Sequence, residues 1–158
     1  LLPWVGLGLG IAGLIALAVW LIVRYGRKRD AEAQRREPAH IVALRKLDRY
    51  RGSKMWAPEK QKAFYSGITD TLREYMDARY DIGAMEMTTA EIMKELKNTD
   101  VTADLQTGLK ELFERADFVK FAKYTASDED NAAALPLAVR FVTSTYQSDL
   151  EDNNKGGE

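Results

Sequence analysis

The chain has 158 residues, with 23 Lys and Arg against 24 Asp and Glu, one histidine and no cysteine. That length holds one domain and an appendage, and the absence of cysteine excludes a disulfide frame, a thiolate nucleophile and a Cys-based zinc site. The near-zero net charge conceals an asymmetry: residues 24–54 carry 11 Lys/Arg and 4 Asp/Glu, net +7, whereas residues 55–158 carry 12 and 20, net −8. Two parts of such a chain face different surroundings.

Residues 1–23 contain no ionisable side chain. As a helix rising ~1.5 Å per residue they reach about 34 Å, enough for a hydrocarbon core of ~30 Å. Trp4 at one end and Trp20 with Tyr25 at the other suit the two interfaces, where an aromatic ring keeps its polar edge wet. A signal peptide carries its charge before the apolar run; here Arg24, Arg27, Lys28 and Arg29 follow it. The expectation is a single transmembrane helix whose basic collar contacts lipid headgroups on the cytoplasmic side, with the N-terminus outside. Without an initiator Met, the sequence reads as a fragment, with an extracytoplasmic domain expected before Leu1 in the natural precursor. Gly6, Gly10 and Gly13 fall on one helix face, a GxxxG-type spacing that allows close helix–helix association in the membrane.

After residue 30 the apolar pattern is helical throughout, with no hairpin signal. Residues 24–38 form a basic juxtamembrane helix or linker broken by Pro38, and residues 39–148 a cytoplasmic bundle. A helix from about Ala39 to Tyr50 turns Ile41, Leu44 and Leu47 inward, and Gly52-Ser53 ends it. The next opens near Pro58, buries Phe64, Ile68, Leu72, Tyr75 and Met76, and stops at Gly83. Its opposite face carries Asp70, Glu74, Asp77 and Asp81 as an acidic stripe. Arg79 projects from the apolar side, and snorkelling is favoured over pairing with a carboxylate of another helix.

Thr88-Thr89-Ala90-Glu91 is a capping box opening a short helix. A helix from about Thr102 to Tyr124 follows, with a stripe of Leu105, Leu109, Leu112, Ala116 and Val119. Phe118 and Phe121 point away from that stripe, so this helix is either central in the bundle or offers a binding patch. Ser127-Asp128-Glu129-Asp130 caps the last helix. Its inner face is Leu135, Ala138, Val139, Val142 and Tyr146, and Pro136 kinks it or delays its start. Residues 149–158 read as a disordered tail.

Catalytic chemistry is missing. His40, the single histidine, sits near a helix start without a nucleophile, and no Gly-rich loop ends in GK[ST]. Metal ligands would have to be carboxylates alone, and a straight helix does not supply the looped oxygen cage that calcium needs. No cofactor, metal or enzymatic activity is expected. The acidic stripe is a solvated face or a docking surface for a basic partner. Arg45, Lys46, Arg49, Arg51 and Lys54 support an alternative, a membrane-tethered nucleic-acid-binding regulator, against which the net −8 of the remaining domain repels a polyanion.

FYSGITDTLREYMDARYDIGAMEMTTAEIMKEL (64–96) and LFERADFVKFAKYTASDEDNAAALPLAVRFV (112–142) resemble the cytoplasmic tail of bacterial membrane proteins of the Bat (Bacteroides aerotolerance) group, especially BatD-like ones. REYMDARYDIGAMEMTTAEI and RADFVKFAKY carry the likeness, over roughly half the chain. The resemblance implies an extracytoplasmic β-rich part, one span of the inner membrane and a helical tail. It also implies an envelope complex with MoxR-type AAA+ ATPases and von Willebrand factor A-domain membrane proteins, linked to stress or oxygen tolerance. The extracytoplasmic part is absent here. The expected fold is thus all-α, one transmembrane helix followed by a small helical bundle, and the expected function a non-enzymatic scaffold. Asp70, Glu74, Asp77, Asp81, Phe118 and Phe121 are its candidate partner-binding residues.

Overall fold

A computed structural model of the chain describes residues 10–26 and 37–156. Among them every regular element is helical, and the chain divides into two compact units, residues 1–38 and 39–158. In the first, residues 10–26 form helix α1, whose side chains up to Tyr25 are all exposed. The Arg24 guanidinium lies 5.1 Å from the centroid of the Trp20 ring. Among the described residues no helix is long and apolar enough to cross a membrane. The expected span therefore has only its second part here, since residues 1–9 lie outside the described residues, as do Gly6, Arg27, Lys28 and Arg29.

The second unit contains α2 (Ala39–Asp48), α3 (Gln61–Tyr80), a 3-10 turn (Ala84–Glu86), α4 (Thr89–Leu96), α5 (Ala103–Phe121) and α6 (Asp128–Lys155). Its core is organised on α3, which packs against α2, α5 and α6, while α4 covers part of α5. The i, i+4 apolar pattern of α3 is what allows this. Phe64, Ile68, Leu72, Tyr75 and Met76 are buried as expected, and Tyr65, Thr69 and Thr71 are buried beside them. A helix covered on three sides must dispose of its polar atoms internally. Thr69 and Thr71 hydroxyls accordingly donate to the carbonyls of Tyr65 and Gly67 one turn back, at 2.8 and 2.7 Å. The buried Gln61 amide donates to the Trp56 and Ala126 carbonyls and accepts from the Ala126 N–H.

Several boundaries differ from the sequence reading. Pro58 lies in the turn before α3 rather than in its first turn, and α2 ends at Asp48 rather than Tyr50. The stop of α3 is Asp81, not Gly83: Asp81 takes the left-handed conformation (φ 54°), and its N–H bonds the Asp77 carbonyl at 2.9 Å. Aspartate tolerates that conformation better than most residues. In addition, the Asp77 carboxylate accepts from the Gly83 N–H at 2.9 Å, so the chain reverses on two acidic side chains before its glycine. Ile41 is exposed and Ala43 takes the inward place beside Leu47.

The two capping predictions hold: Thr88 and Glu91 form a reciprocal capping box, and Ser127 accepts from the Asp130 N–H. Thr102 likewise caps α5, accepting from the Leu105 N–H, which the sequence reading does not single out. Pro136 does not delay α6, which starts at Asp128 and continues past it. Nor is 149–158 a disordered tail as far as Lys155, where α6 ends. The turn at the start of this stretch is held, since Asp149 pairs with Arg79 at 3.5 Å and Ser148 hydrogen-bonds Asp100, while residues 150–155 are exposed. The buried face of α6 runs through Asn131, Ala134, Ala138, Phe141, Val142 and Thr145, so Leu135, Val139 and Tyr146 sit at its margins.

Candidate interaction surfaces

The acidic stripe of α3 is largely engaged within the bundle. Glu74 forms a salt bridge with Lys46 of α2. Asp77 bonds the Gly83 N–H, Asp81 is the helix stop, and exposed Asp70 faces the Lys120 ammonium of α5. Lys120 is half-buried, its Nζ donating to Thr69 Oγ1 at 3.1 Å. Burial holds its pKa below the ordinary lysine value, a trend that Asp70 opposes. The carboxylates of Glu74 and Asp77 thus help position α2 and the α3 terminus, whereas those of Asp70 and Asp81 are exposed.

Phe118 and Phe121 are different. They are 56% and 81% exposed, and Tyr124, 47% exposed, joins them with its ring centroid 6.3 Å from that of Phe118. The backbone explains why three aromatic rings gather where α5 ends. Lys123 adopts the left-handed conformation (φ 53°), and the N–H groups of Ala122 and Tyr124 both donate to the Phe118 carbonyl, at 2.9 and 3.3 Å. This folds the chain back on the last turn and sets Tyr124 against Phe118. Val119 and Ala116 on the opposite side are buried, so α5 is apolar on two faces of which one has no cover. Of the two expectations for α5, the central place belongs to α3, and Phe118 and Phe121 are left exposed. Tyr124 was not among the sequence candidates, because its part depends on a positive φ at a lysine.

Arg79, expected to snorkel, instead pairs with Asp100 at 3.2 Å and Asp149 at 3.5 Å and stacks its guanidinium 4.8 Å from the Tyr80 ring centroid. Tyr80 donates to Asp100 at 2.6 Å. Burial disfavours the Asp100 carboxylate, but hydrogen bonds from Tyr80 and Ser148 and the charge of Arg79 outweigh it and hold the pKa below the usual value. Burial and then the hydrogen bond to Asp100 push the Tyr80 phenol up. Deeper inside, burial pushes Tyr65, which donates to Asn131 at 2.8 Å, up to about 12. These are clasps joining α3 to α6 and to the α4–α5 loop.

His40 stacks on Tyr146 of α6 with ring centroids 3.5 Å apart, and among the described residues no group of His, Asp and Glu side chains is placed to hold a metal ion. A cavity of about 400 Å³ between the α2–α3 loop and α6 is lined by Tyr50, Trp56, Phe64, Leu135 and Pro136 among others. Of the five basic residues weighed as phosphate contacts, Lys46 and Arg51 are paired with Glu74 and Asp48. Gly10 and Gly13 in α1 have open space where a Cβ would stand. The chain matches no protein-family model, no curated protein sequence and no solved structure.

Proposed function

We propose that this chain is a membrane-anchored, non-enzymatic scaffold whose helical bundle docks a protein partner through the Phe118–Phe121–Tyr124 patch at the cytoplasmic face of a bacterial inner membrane. The uncovered aromatic patch carries the reading. Large aromatic side chains in water are costly, roughly 2–3 kcal/mol each relative to burial, and clustered aromatics are the usual anchors of protein interfaces. Support for the anchor comes from the continuous uncharged run of residues 1–23, of which the described part, α1, is apolar and exposed on all sides until Arg24. The resemblance to the Bat group supplies the partner class, a MoxR-type AAA+ ATPase or a von Willebrand factor A-domain protein. The engaged carboxylates of α3 make the acidic stripe the lesser contact.

Co-purification from bacterial membranes with those two partner classes tests the proposal. Phe118→Asp with Phe121→Asp is expected to abolish recovery, whereas Asp70→Lys, at an exposed position, changes it little. Unchanged recovery by the double variant removes the patch from the scaffold role. Accessibility labelling of the C-terminus outside the cell overturns the topology. The nucleic-acid alternative stands only if the bundle binds duplex DNA in a salt-sensitive manner.

A further inference from the structure

A second outward surface lies at the start of the bundle. On α2, Ala43 and Leu47 face the core while Ile41, 44% exposed, and Arg45, also exposed, stand one turn apart on the other side. Arg49, in the turn that closes the helix, follows after another four residues, and Lys54 is exposed in the succeeding loop. Residues 39–54 contain five basic side chains and one acidic one; Arg51 pairs with Asp48, Lys46 with Glu74, and Arg45 also has a partner. Arg49 and Lys54 meet no carboxylate among the described residues. Residues 55–158 are net −8, so the excess of positive over negative charge in the bundle lies in this stretch.

We infer that the outer face of α2 is a lipid-contacting surface that lies against anionic phospholipid headgroups, with Arg49 and Lys54 meeting phosphates, the charge of Arg45 adding to theirs, and Ile41 entering the interfacial layer. Two observations select a bilayer over a nucleic acid. An exposed isoleucine in line with the arginines gains from an apolar boundary and nothing from a phosphate backbone. In addition, only 12 residues of chain separate the end of α1 at residue 26 from Ala39, so an anchored α1 keeps this face within reach of headgroups. The inference deepens the anchored-scaffold reading and rests on it for its setting. A basic surface attracted to an acidic leaflet would fix which side of the bundle looks away from the membrane.

The test uses residues 39–158, which contain every buried residue of the described chain and form a compact unit of their own. This fragment lacks α1, so anchoring and surface binding are read separately. Flotation with phosphatidylcholine vesicles containing phosphatidylserine is expected at low salt, with none on phosphatidylcholine alone and a loss at high salt. Each basic residue near an anionic surface contributes roughly a fivefold gain in partitioning. Arg45→Glu with Arg49→Glu therefore lowers binding by well over tenfold, and Ile41→Asp lowers it too. Arg45→Gln with Arg49→Gln, the milder pair, guards against misfolding, checked by an unchanged helical circular dichroism spectrum. Absent flotation, equal flotation on neutral vesicles, or indifference to the arginine variants overturns the inference. So does tighter binding to duplex DNA that ignores Ile41→Asp. Membrane insertion of the full chain, assayed by carbonate extraction, reports on the anchor alone.

Discussion

Lys123 holds a φ of 53°, where a Cβ crowds the backbone and costs roughly 1–2 kcal/mol. The strain is localised to the turn that brings Tyr124 onto Phe118. Lys123→Gly relieves it and loses part of the gain to the greater freedom of glycine in the unfolded chain. Guanidinium unfolding of the bundle is expected to show about 0.5–1 kcal/mol more stability, and no gain would mean the lysine conformation is not strained. Asp100 makes the other residue-scale prediction. Its folded pKa lies below the unfolded value, which is ~3.9. The stabilisation it carries is therefore present above that pH and lost as pH falls through the folded value. Asp100→Asn should cost about 1 kcal/mol at neutral pH, the partial exposure of the pair keeping the figure small. The wild-type and variant curves of stability against pH should then converge in acid. Parallel curves would show that Tyr80 and Arg79 do not depend on the charge. The sequence marks Arg79 as out of place, but not its partners, which lie in a loop and on α6, far along the chain.

At the level of elements, helix starts were more legible than helix ends. Thr88, Thr102 and Ser127 act through side-chain atoms on N–H groups three residues ahead, a local chemistry readable from spacing. Ends depend on what the chain meets next: α3 stops on Asp81, and α6 runs on past the Ser148–Asp149 turn that Arg79 and Asp100 hold. Helix-to-helix approach is likewise hidden in sequence. A Cβ built on Gly67 would fall 1.8 Å from the Tyr50 hydroxyl oxygen and 2.2 Å from its ring, so glycine is what lets the residue after α2 lie flat on α3. Gly67→Ala gains up to about 1 kcal/mol in helix propensity and loses about 1–3 kcal/mol to overpacking. The expected net effect is destabilisation, read by thermal melting. Tyr50→Ala in the same chain should turn it into a gain, since the clash is then gone. Destabilisation persisting in that background would place the cost elsewhere.

For the whole molecule, the all-helical class follows from periodicity alone, but the central helix does not. Both α3 and α5 are apolar on more than one side. What separates them is that Tyr65, Thr69 and Thr71 find internal hydrogen-bond partners, whereas Phe118 and Phe121 find no cover; periodicity cannot see partners. The change of charge is plain in the sequence, but it falls after Lys54, inside the second compact unit, whereas the units divide after Pro38. Among the described residues, the buried hydrophobic ones lie from Ala43 to Val142 and the buried polar ones from Gln61 to Thr145. Removing residues 1–38 thus takes nothing from this core, and about 120 residues are enough to bury one. The fragment 39–158 is expected to unfold in a single cooperative transition. Its denaturant midpoint should be the same as that of the bundle in the full chain held in detergent. A midpoint that drops on truncation, or a fragment without cooperative unfolding, would mean that the N-terminal segment is part of the fold rather than its tether. The lipid contact assigned to α2 would then have to be sought in the intact protein.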